Sequence, residues 1–145
     1  MSTPQPNDPC WLPVDPSAAD IVRTETLVVL EANHHLFEDV GDFSPPAQLA
    51  LSAVYRDAFA VLDAVGWTPP DDPTTVDVPI TDGHADQLQR RRYDLGRTTL
   101  DRLDTLEHTT NPLERASIQT TIDTERTAAE TLDALLVAYQ RARAA

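Results

Sequence analysis

With 145 residues the chain is the size of one domain and long enough to bury one core. Hydrophobic residues make up 41% and charged residues 24%, the mix of a globular chain rather than a disordered one. The formal net charge of −13 repels phosphate backbones and anionic headgroups. It excludes nucleic acid and membrane as favoured partners and leaves a protein partner, self-association or a small-molecule ligand.

No apolar run approaches the ~20 residues that span a bilayer, and no basic segment followed by an apolar one opens the chain. The one cysteine, Cys10, has no second cysteine to pair with. Together these features give the cytoplasm as the expected location. All 11 basic residues are arginine, which is ascribed to codon usage rather than to chemistry.

Residues 1–16 carry five prolines, at positions 4, 6, 9, 13 and 16, and read as an extended arm. Trp11 and Leu12 within it are expected to dock on the body of the protein or on a partner. Residues 17–145 read as four helices. The first, about 17–40, is expected to start at Ser17 with Asp20 as its capping acid and to stop at Gly41. Its apolar face, with Ile21, Val28, Val29, Ala32, Leu36 and Val40, has Glu25 near the middle and His35 on the edge.

Ser44-Pro45-Pro46 opens the second helix, about 45–65, whose stripe includes Leu51, Ala58, Leu62 and Val65 before Gly66. The stretch from Trp67 to Ile80 is rich in proline and aspartate. It is too long for an ordinary helix connection and reads as a stiff strap crossing the end of the helices. The third helix, about 82–108, has the stripe Ala85, Leu88, Arg92, Leu95, Thr99, Leu103, Leu106, with Gly96 beside it. Asn111-Pro112 with Glu114 starts the fourth, about 112–143. Ile118, Ile122, Leu132, Leu136 and Tyr139 form its seam, with Glu125 inside it.

The expected architecture is therefore all-α: an antiparallel four-helix bundle with a Pro-rich N-terminal arm and a long strap between helices 2 and 3. Antiparallel pairing across the turn near residue 110 puts Glu125 level with Gly96 and one turn from Arg92. Glu25 falls at a similar depth in helix 1. A carboxylate in a core either finds a partner or takes up a proton, and one planar guanidinium can serve two carboxylates. Glu25, Arg92 and Glu125 are thus expected to share a polar layer, with room for water or a ligand beside Gly96. In a catalytic reading Arg92 binds an anionic group and a glutamate moves a proton. His35, Thr99 and Arg102 are expected one layer below.

Other motifs carry less. Glu31-x-x-His34 matches half of a di-iron signature, but no second pair follows and both residues face outward, so no metal is expected. Arg102 and His108 resemble, in spacing alone, the Arg-x(4–6)-His element of HEPN ribonucleases. Leu103 stands where that element carries a polar residue, and the acidic surface opposes RNA. There is no phosphate loop, no zinc-spaced cysteine and histidine set and no serine placed as a nucleophile, so no cofactor is expected. Two functions remain: a non-catalytic binding or accessory protein using the outer face of helix 4 and the Trp11 arm, or a small-molecule enzyme or ligand binder built on the Glu25–Arg92–Glu125 layer.

Overall fold

The computed structural model describes residues 8–67 and 75–145. Residues 1–7 of the arm and 68–74 of the strap, with Pro4, Pro6, Pro69, Pro70 and Pro73, lie outside the described residues. Among the described residues the fold is mostly helical: α1 (Pro16–Glu38), α2 (Pro45–Val65), α3 (Asp82–His108) and α4 (Pro112–Ala144), with two short strands, β1 (Cys10–Val14) and β2 (Val76–Ile80).

Those strands are the main departure from an all-α expectation. Part of the arm and the end of the strap pair as an antiparallel ribbon, in register from Cys10 opposite Ile80 to Val14 opposite Val76. Alternation points Leu12, Val14, Val78 and Ile80 inward, all of them buried, while Trp11 stays 61% exposed. Each strand has a free edge, which is why Pro13 and Pro79 are tolerated. The ribbon lies on α2 and α4, so the arm is tied to its own chain through Leu12 and Val14 rather than through Trp11.

Each helix begins at a residue whose side chain accepts from an otherwise orphaned N–H. Ser44 accepts from Ala47, Thr81 from His84, and Asn111 from Leu113 and Glu114. For α1 the cap is Asp15, whose carboxylate accepts from the Ala18 N–H at 2.8 Å, not Ser17; Pro16 then takes the first helical position. The same helix stops at Glu38, with a single 3-10 turn over Val40–Asp42, before it reaches Gly41. Gly66 ends α2 with φ 88°, a backbone setting that side chains resist.

α1 packs chiefly on α2 and α3 chiefly on α4, with further α1·α3, α1·α4 and α2·α3 contacts. One core runs through Val22 and Val29, Val61 and Leu62, Leu88 and Leu95, Leu132 and Leu136, closed at one end by the ribbon. The helices differ in length. α3 has 27 residues and α4 has 33, against 23 for α1 and 21 for α2. The α3–α4 hairpin therefore outruns its cover, which leaves Leu103, Leu106 and Ile118 half-buried and Leu113 83% exposed.

Candidate functional site

Glu25 and Glu125 are both buried, but they do not share a guanidinium. Glu25 on α1 accepts from Arg91 Nε, across to α3. Glu125 on α4 accepts from Arg102 Nε through one oxygen and from the Thr99 hydroxyl, at 2.8 Å, through the other. Arg92 turns outward, and its Nε donates to Asp133 at 2.9 Å. The structure thus distributes the expected single layer over three pairs, each bridging two helices.

Gly96 does make room, but for its own helix neighbour: a Cβ there would lie 3.3 Å from Arg92 Nη1. In the second expected layer, Thr99 and Arg102 come together on Glu125, while His35 sits exposed on α1. His34 is also exposed and lies 3.7 Å from Glu38. His108 is engaged with the Asp104 carbonyl of its own helix, and Arg102 with Glu125.

A second polar cluster lies where α1 and α2 meet the start of α3. His84 is 1% exposed; its Nε2 lies 3.4 Å from the hydroxyl of fully buried Thr26, and its Nδ1 has no partner among the described residues. The Thr81 hydroxyl accepts from the His84 backbone N–H and donates to buried Asp57 at 2.8 Å. The Asp57 carboxylate thereby sits against the positive end of α3, beside Gly83, where a Cβ would approach it to 3.2 Å. Removal from water pushes the His84 imidazole down to about 4, against a smaller upward pull from the Asp57 charge.

Buried Arg23 closes the same end. Its guanidinium donates to the Val65 and Gly66 carbonyls at 2.9 and 2.8 Å, where the α2 dipole is negative, and to Asp20 at 2.6 Å. Helical periodicity does not single out Arg23, Asp57 or His84. Arg23 comes into reach of a helix C-terminus only when α1 and α2 are folded together.

Apart from the unpartnered His84 Nδ1 these groups answer one another, and the cluster, shut away from solvent, ties α1, α2 and α3 together. The Thr81 hydroxyl ties two of its members. Thr81→Val is expected to lower unfolding free energy by about 2 kcal/mol, through loss of a cap and a hydrogen bond to a buried carboxylate, whereas Thr81→Ser stays within about 0.5 kcal/mol of the parent. Urea unfolding of the two variants checks this.

The open surface lies elsewhere. Two hollows follow one another between α1 and α4. One, of about 350 Å³, is bordered by Pro13, Ala18, Thr131 and Ala138; the other, of about 440 Å³, by Ile21, Glu25, Thr124 and Thr127. A third, of about 360 Å³, lies between α1 and α3 and is bordered by Asn33, Gln87 and Arg91. The Glu25–Arg91 pair therefore joins clefts on opposite flanks of α1. On α2, Tyr55 and Phe59 meet Phe37 and Trp67 in a chain of tilted and edge-on rings at centroid spacings of 4.9, 5.9 and 5.6 Å, and Phe37, Phe59 and Trp67 are each more than 40% exposed.

Comparison with protein families, with curated proteins and with solved structures found no match.

The geometry therefore stands without a template. Among the described residues no group of three or more histidine, cysteine and carboxylate side chains is placed to hold a metal ion. No helix there is long and apolar enough to cross a membrane.

Proposed function

We propose that this chain is a non-catalytic binding or accessory protein, and that the outer face of α4 is the surface it works with. In this reading the four helices form an antiparallel bundle with one corner left open, in the cytoplasm. The observation that carries the reading is a stripe of small residues along α4: Ser117, Thr120, Thr124, Thr127, Thr131, Ala134 and Ala138. Their spacing alternates three and four, the seam of a helix packed on a helix. Yet all but Thr131 are exposed, and the seam forms one wall of the α1–α4 hollows.

The polar pairs support the same reading from the other side. Among the described residues each buried carboxylate is held by an arginine or a threonine, so these acids are engaged in bridging helices. The exposed rings of Phe37, Phe59 and Trp67 add a second apolar patch, of the kind that marks interaction surfaces.

Benzophenone cross-linking tests the proposal. With p-benzoylphenylalanine placed singly at Thr124, Thr127, Thr131 and Ala134, and at Arg126 and Ser52 as exposed controls, the four groove positions are expected to yield one common cross-linked polypeptide and the controls none. Cross-linking with no dependence on position overturns the reading. A product of twice the chain mass replaces the foreign partner with a second copy.

One observation favours the alternative of an enzyme or small-molecule binder. Of the expected site residues Glu25, Arg92 and Glu125, Glu25 borders the larger α1–α4 hollow. Under that reading Glu25→Gln abolishes ligand binding there while the helical fold is retained.

A further inference from the structure

We infer that the α1–α4 groove takes a basic amphipathic helix from a partner protein. The inference rests on the reading of the α4 stripe as an interface and adds the chemistry of what lies against it.

Charge is the first argument. Every charged residue bordering the two hollows is an acid: Asp15, Asp20, Glu25, Asp123 and Glu130, with no arginine or histidine among the residues that line them. Asp20 and Glu25 are already paired with Arg23 and Arg91, so Asp15, Asp123 and Glu130 are the acids that face an incoming partner. Asp123 and Glu130 are seven residues apart on one rim, so they repeat with the period of a helix lying alongside. Asp15 and Asp20 stand on the α1 rim. A partner with lysine or arginine on both flanks of an apolar seam meets opposite charge on both sides. A second copy of this chain, with its net charge of −13, would bring acid to acid.

Hydrogen-bonding capacity is the second. The hydroxyls of Thr120, Thr124 and Thr127 donate to the carbonyls of Ala116, Thr120 and Asp123 in their own helix, and Thr24 on the facing helix does the same to Asp20. With their protons committed, these threonines show the groove methyl groups and oxygen lone pairs. Together with Asp123 they make the Thr120–Thr127 part of the wall one that accepts and does not donate. Ammonium and guanidinium groups, which donate and do not accept, are its complement.

Size is the third. The stripe from Thr120 to Ala138 is about 27 Å long at helical rise, which suits a partner helix of roughly 18 residues. Its small side chains permit close approach of a second backbone.

A display library tests this. Helices of roughly 20 residues, with alanine and leucine fixed at the seam and each flanking position drawn from Lys, Arg, Glu and Gln, are selected on the full chain and on Thr127→Trp/Ala134→Trp, whose substituted positions are exposed and leave the core untouched. Circular dichroism confirms that the variant is folded. The expected outcome is enrichment of Lys and Arg over Glu on the flanks, binding lost on the tryptophan variant, and affinity reduced about tenfold or more by Asp123→Lys/Glu130→Lys and by high salt. Groove-dependent binders with neutral or acidic flanks overturn the charge inference and leave the interface standing. Absence of any binder sensitive to the tryptophan pair overturns both.

Discussion

Acidification from pH 6.5 to pH 4 will cost the native protein about 3 kcal/mol through His84 alone, and His84→Gln will abolish that part of the loss. The folded protein holds this imidazole neutral, its pKa pushed down to about 4 by burial, whereas an unfolded chain titrates near the ordinary histidine value of about 6.5. The unfolded state therefore binds the extra proton throughout that window. His84's contribution is intact above pH 6.5, falls by about 1.4 kcal/mol per pH unit below it, and levels off below the folded value.

The measurement is the difference between parent and variant, because the many carboxylates titrate in both and cancel. Melting temperatures at pH 7, 5.5 and 4.5 should show a gap that narrows with acidity, by several degrees for a domain of this size. A gap that stays constant across pH would mean that His84 is not buried neutral against Thr26.

Why the sequence hides His84 is a matter of where cover comes from. The α3 stripe, read by periodicity, records contact with neighbouring helices. His84 lies in the first turn, where β2, the Asp57 side of α2 and Thr26 of α1 converge, and that convergence depends on chain segments far apart in sequence. The ribbon is hidden for the same reason. Cys10–Val14 and Val76–Ile80 are five-residue segments, each containing a proline, and only their non-local pairing makes them strands.

What local physics controls was legible. The caps at Ser44 and Asn111 and the apolar stripes locate the helices, and Glu25 and Glu125 stand out as acids at core positions because a seam admits few residue types. Their partners were not legible. Arg91 and Arg92 are adjacent in sequence but about 100° apart around α3, so the choice between them depends on the flank that α1 takes, which no single-helix pattern contains.

Arg91, not Arg92, is therefore the arginine whose loss is damaging. Arg91→Met leaves the Glu25 carboxylate, 5% exposed, without the guanidinium that compensates for its burial, and should lower unfolding free energy by about 3 to 5 kcal/mol. Arg92→Met removes a pair whose acid, Asp133, has a side chain 55% exposed; solvent screens that contact, and the loss should stay under about 1 kcal/mol. Arg102→Met falls between them, because Thr99 continues to donate to Glu125.

Glu25→Gln in the Arg91→Met background separates charge from packing. A neutral amide no longer demands a cation, so the double variant should recover more than half of the loss, and the coupling energy of the cycle should be well outside the range of additive effects. Equal destabilisation by Arg91→Met and Arg92→Met, with no rescue by Glu25→Gln, would show that the α1–α3 bridge contributes no more than an exposed contact.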